Sequence, residues 1–181
     1  MSEGDLSIHP ADLAREVIEY YLDEEHMPDM PDPLPSDYEV KAGVFVTLKK
    51  EGQLRGCIGT FQPVRENLAE EIAVNAVSAA VRDPRFPPVS KEELPGLELS
   101  VDILGPVEKI ESEKELDPEK YGIMVRKGSR TGLLLPDLDG VDTVEQQVDI
   151  ACRKAGIAPG EKPELYRFKV TRYPEKKGPG L

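Results

Sequence analysis

Two pairs of strand-like stretches in this chain are joined by connections too short for a parallel return. Val44-Phe45-Val46-Thr47-Leu48 is rich in β-branched and aromatic residues. After a turn over residues 49–53 the chain comes back through Leu54-Arg55-Gly56-Cys57-Ile58-Gly59-Thr60. Farther on, residues 122–126 and 131–135 flank Lys127-Gly128-Ser129-Arg130 in the same way. A parallel crossover needs about a dozen residues or more, so both pairs are expected to be antiparallel hairpins.

Three helices fit around them. Residues 10–25 carry Pro10 in the first turn and an apolar stripe of Leu13, Val17, Tyr20 and Tyr21. Residues 64–81 place Leu68, Ile72, Ala76 and Ala79 or Ala80 on one face, and Asp83-Pro84 ends the helix. Thr143 is a good N-cap for a helix to Ala155, stopped by Gly156, with Val144, Val148, Ala151, Cys152 and Ala155 on its inner face. Leu97, Leu99, Val101 and Ile103 alternate with Glu98, Ser100 and Asp102, a half-exposed strand. Tyr166, Phe168 and Val170 alternate in a last strand. Prolines 28, 31, 33 and 35 make an extended surface loop, and residues 108–120 read as a solvated, mixed-charge connector. The expected class is α+β: two layers, with a mainly antiparallel or mixed sheet and flanking helices.

Composition narrows the function. Hydrophobic residues are 39% of the 181, enough for a core. The net charge of −12 repels phosphate backbones, which argues against nucleic-acid binding. The first ten residues have no basic or apolar leader, and no run approaches the ~20 apolar residues of a membrane span. A cytoplasmic protein with reduced thiols, and no membrane role, is expected. Two cysteines and two histidines lack metal or cluster spacing, so neither a metal site nor a cofactor is expected.

The informative string is residues 54–60. Glycine weakens a strand, so Gly56 and Gly59 need a reason: close approach of another backbone or of a ligand, or a bulge. Alternation puts Arg55, Cys57 and Gly59 on one face and Leu54, Gly56, Ile58 and Thr60 on the other. An arginine beside a cysteine favours the thiolate. The string therefore suits a nucleophile or an anion pocket. It equally suits plain packing, with Cys57 as a small hydrophobe and the glycines admitting the Ala-rich helix. Arg85 can help hold an anion, or simply bridge to a nearby carboxylate. Asp83 can act as a base for Cys57 only if buried. His9 and His26 flank the first helix, and nothing in the sequence brings either to Cys57.

Residues 54–60 resemble the signature heptapeptide of the AMMECR domain family. The likeness continues through Asp83-Pro84-Arg85-Phe86-Pro87-Pro88-Val89, residues 97–104 followed by Gly105-Pro106, residues 132–136 and Cys152-Arg153-Lys154-Ala155-Gly156. It departs at Tyr121, where many relatives have histidine, and at Asp142 and Thr143, where many have tryptophan. The resemblance implies one domain over residues 8–174, made of two unequal, interleaved lobes with a cleft, and a flexible tail over 175–181. The prokaryotic branch it resembles, AmmeMemoRadiSam system protein A, implies Memo-type and radical SAM companions and no established reaction.

Two functions follow as expectations. One is an accessory protein binding a ligand or partner through Arg55, Gly56, Cys57, Gly59, Thr60, Arg85 and Phe86. The other is an enzyme using Cys57 as nucleophile on a small anionic substrate, with Arg55 and Asp83 assisting. The lack of an evident base favours the first.

Overall fold

The computed structural model describes residues 8–176. The chain divides into two compact units, residues 8–103 rejoined by 171–176, and residues 104–170.

The first unit is built on a four-stranded sheet of order β2-β1-β3-β8, with β1 at Val44–Lys50, β2 at Gln53–Thr60, β3 at Leu97–Leu104 and β8 at Val170–Pro174. β1 pairs antiparallel with both β2 and β3. The β1–β2 loop is two residues, Glu51 and Gly52, with φ of 50° and 78°. Two positive φ values give the backbone twist a tight hairpin needs. Val44, Val46 and Leu48 alternate inward on β1, as do Leu97, Leu99, Val101 and Ile103 on β3. Helix α2 (Leu68–Val81) packs on β1 and β2, and helix α1 (Pro10–Glu24) packs on α2. Fully burying a side chain such as Ile72 contributes ~2 kcal/mol.

Several local expectations change here. Helix α2 starts at Leu68, not at residue 64, because the Asn67 side chain caps it by accepting from the Glu70 N–H. The preceding backbone N–H groups of Val64 and Arg65 turn to Glu71 instead. On α1 the buried stripe runs through Ala11, Leu13, Ala14, Val17 and Ile18, and Tyr20 is exposed against His26. Asp102 is buried, not solvated, and pairs with Arg172 of β8 at 2.7 Å.

The second unit holds another four-stranded antiparallel sheet, order β4-β7-β5-β6. Its strands are β4 (Glu108–Ile110), β5 (Gly122–Lys127), β6 (Arg130–Leu134) and β7 (Glu164–Phe168). Helix α3 (Val144–Ala155) lies on β5 and β6. Thr143 and Gln146 form a reciprocal capping box, and Gly156 ends the helix at φ 70°.

The expected solvated connector is partly ordered. β4 and a 3₁₀ turn at Glu113–Glu115 form within it, and Ile110 and Leu116 enter the core. The expected last strand is two strands: the chain breaks at Lys169, so β7 belongs to the second sheet and β8 to the first. Glu175 is anchored by Arg15 and by the Leu99 N–H and carbonyl. Residues 177–181 of the expected tail lie outside the described residues. Together the two antiparallel sheets and three helices make an α+β fold.

Candidate functional site

β2 is an edge strand, so one row of its backbone groups has no neighbouring strand. At Cys57 the loop after α2 supplies partners instead. The Cys57 N–H donates to Asp83 Oδ2 at 3.0 Å, and Arg85 Nη2 donates to the Cys57 carbonyl at 3.1 Å. Asp83 and Arg85 are themselves joined, with Arg85 Nε to Oδ1 at 3.0 Å and Nη2 to Oδ2 at 2.7 Å. This carboxylate–guanidinium clamp imitates a strand over one residue. Its formation requires the tight turn at Asp83-Pro84-Arg85-Phe86, closed by the Phe86 N–H on the Asp83 carbonyl.

The register of β1 and β2 slips between Leu48 and Lys49, where Gly56 faces Leu48 and Leu54 faces Lys49. Arg55 is the extra residue of a bulge. Leu54 consequently leaves the row of Gly56, Ile58 and Thr60 and is 42% exposed. Arg55 turns to Glu93, with Nε to Oε1 at 2.7 Å and Nη2 to Oε2 at 3.0 Å. The Arg55 and Arg85 guanidinium carbons lie 6.0 and 5.5 Å from the Phe86 ring centre. Arg55 Nη1 is buried and has no hydrogen-bond partner among the described residues.

The structure brings Arg55, Cys57, Asp83, Arg85 and Phe86 together. Thr60 it directs elsewhere: the Thr60 hydroxyl donates to the buried Glu71 and accepts from Asn75 Nδ2 at 3.1 Å, both on α2. The glycines are crowded by the chain itself. A Cβ on Gly56 would meet the Ala79 carbonyl, and one on Gly59 would meet the Phe45 ring. The reasons for these glycines are close approach of a helix backbone and of an aromatic ring.

Electrostatics decide what the thiol can do. Burial pushes the Cys57 thiol up, and the Thr47 hydroxyl, 3.4 Å from Sγ, and the nearby Arg85 charge pull it back less. Arg55, expected to favour the thiolate, is held by Glu93 instead. Asp83 is held well below the usual carboxylate range, chiefly by its hydrogen bonds with Arg85 and then by the Cys57 and Arg85 N–H groups. Such a carboxylate is a poor proton acceptor near neutral pH. His9 packs on Tyr173 and His26 on Tyr20, and no hydrogen bond joins either to Cys57. Among the described residues, no three histidine, cysteine or acidic side chains are placed to hold a metal ion.

Residues 11–176 match the AMMECR1 family. This chain belongs to the AMMECR1 family. A Thermotoga maritima protein is 52% identical over 160 residues, covering 87% of this chain and 92% of its own length. Protein CA_C1420 of Clostridium acetobutylicum is 49% identical over 165 residues, but this chain spans only 35% of that longer protein. The crystal structure of the uncharacterized protein PH0010 from Pyrococcus horikoshii superposes with a TM-score of 0.85 at 34% identity, covering 92% of this chain and 90% of that one.

In this AMMECR1 domain, sequence reasoning missed Thr47, Glu71, Asn75, Glu93 and the Asp102–Arg172 pair. Two of them carried a signal. Glu71 and Asn75 are polar residues four apart on a helix face whose neighbours are alanine and isoleucine, a pattern that asks for buried hydrogen-bond partners.

Proposed function

We propose that this protein is an accessory protein that binds a ligand or partner through the Arg55–Cys57 strand and the Asp83–Phe86 turn, and that Cys57 is not a nucleophile. The observation that supports this most directly is the engagement of the two groups expected to assist the thiol, Asp83 and Arg55. Asp83 is committed to Arg85 and the Cys57 N–H, Arg55 is committed to Glu93, and burial raises the thiol. Anionic groups suit the surface. The Arg85 side chain is 53% exposed, and its Nη1 donates to no described residue. In this reading the companions are Memo-type and radical SAM proteins of the AmmeMemoRadiSam set, and the setting is the cytoplasm. The length of the Clostridium relative supports a partnered role, since there the matching region is one part of a larger polypeptide. No described helix is long and apolar enough to cross a membrane.

Iodoacetamide modification of Cys57, followed by peptide mass spectrometry across pH, tests the proposal. Slow labelling near neutral pH is expected, with a midpoint at or above the free-thiol value of about 8.5. A midpoint well below that value would overturn it in favour of a thiolate enzyme. Capture of a Memo-type or radical SAM protein from the native host, lost in Arg85→Glu, would identify the partner. Capture that survives Arg85→Glu would place the binding surface elsewhere.

A further inference from the structure

An open groove of about 1120 Å³ runs across the second unit, between α3, β4 and the segment 157–165. Its lining includes no residue of the Cys57 site. Ile110, Val148, Cys152, Ile157 and Leu165 give it an apolar wall. Cys152, expected in the core, is half-buried here.

Six acidic and three basic side chains line this groove. Glu161 is paired with Arg130, Glu164 with Arg126 and Lys109, and Asp149 with Arg153. Glu111, Glu113 and Glu145 also line the groove outside these ion pairs, set against one lining cation outside them, Lys162. Glu113 stands close enough to act on the wall: the Cys152 thiol is pushed up by burial first, then by Asp149 and Glu113. The groove is open, and its volume stands at about the upper end of the roughly 300–1,000 Å³ of small-molecule sites, room enough for a length of polypeptide.

We propose that this groove seats a basic segment of a partner protein, with Lys or Arg side chains meeting Glu111, Glu113 and Glu145 and interleaved apolar side chains reaching Val148, Ile157 and Leu165. Charge complementarity selects the occupant, and the apolar wall holds it. The surface is separate from the one assigned to Cys57, so the two proposals stand or fall independently.

Fluorescence anisotropy of three labelled twelve-residue peptides with the full-length protein tests this. One peptide alternates Lys and Leu, one Glu and Leu, one Lys and Ser. The Lys–Leu peptide is expected to bind. The double variant Glu113→Lys, Glu145→Lys, altering two exposed side chains, is expected to weaken it by about tenfold at low salt. Bound peptide is also expected to slow N-ethylmaleimide labelling of Cys152, read by mass spectrometry of the tryptic peptide. Absence of binding by the Lys–Leu peptide up to about 1 mM would overturn the proposal. So would equal binding of either other peptide, an affinity unmoved by the charge reversals, or a Cys152 that reacts as fast as before.

Discussion

Gly56→Ala isolates the packing of α2 on the edge hairpin. The added Cβ would overlap the Ala79 carbonyl oxygen by about 1 Å, and would stand 3.2 Å from the Ala79 carbonyl carbon and from Leu48 Cδ1. The Ala79 oxygen belongs to helix backbone, so it cannot swing aside as a lysine tip could. Either α2 lifts from β2 or the hairpin bends, and in both cases buried contacts around Ala76, Val77 and Ala80 loosen. Overpacking a filled core costs about 1–3 kcal/mol, and a rigid neighbour puts this site near the top of that range. At roughly 2–4 °C per kcal/mol for a chain of this size, the melting temperature should fall by about 4–12 °C. Gly96→Ala is the matched control, because nothing lies within 4 Å of a Cβ there. Circular-dichroism melts and urea titrations of both variants give the comparison. A Gly56→Ala protein melting within about 1 °C of the Gly96→Ala protein would refute the argument that this glycine exists for helix approach.

Two further outcomes follow from the charges. Asp83 has a folded-state pKa below its unfolded value, so its contribution to stability is complete above the ordinary aspartate range of about 3.9 and is lost as pH falls through the folded value. Glu93, lowered chiefly by its hydrogen bonds with Arg55, adds to the same acid limb. In Asp83→Asn the plot of unfolding free energy against pH below about 4 should therefore be shallower than in the parent, and an unchanged slope would contradict the clamp. Arg172→Ala leaves the Asp102 carboxylate, 3% exposed, without its guanidinium. A loss of about 1–3 kcal/mol in urea unfolding is expected, restored in part by Asp102→Asn in the same chain. A double variant no more stable than Arg172→Ala would show that the pair is not the cause.

The parts legible in the sequence are those whose cause is local. Thr143 and Gly156 mark helix ends through partners no more than four residues away, and the hairpin loops carry their own turn residues. The parts that escaped have distant causes. β4 is three residues long and exists because β7, more than fifty residues later, pairs with it. Asp102 reads as solvent-facing by alternation, and only the arrival of Arg172 makes its burial tolerable. The break at Lys169, which sends one apparent strand into two sheets, has no signature in the residues around it. At the candidate site the string 54–60 stands out because of its glycines, but the residues that explain it, Phe45, Ala79 and Glu93, lie 14 to 38 positions from the glycines and arginine they serve.

The second sheet shows how such glycines should be weighed. A Cβ on Gly132 of β6 would meet the Ala151 carbonyl of α3, and one on Gly122 of β5 would meet the Phe168 ring. Gly56 with Ala79 and Gly59 with Phe45 repeat the same two arrangements in the first unit, without any sequence repeat to suggest them. Each glycine weakens its strand by about 0.5–1 kcal/mol relative to alanine. A helix that descends onto the sheet, or a ring that covers it, offsets that cost through dispersion and apolar burial. Because this device recurs in a unit whose groove it does not line, glycines in the strands of this fold are evidence of close internal packing. What supports the proposed binding surface at Cys57 is instead Arg85, half-exposed, with the Phe86 ring beside it.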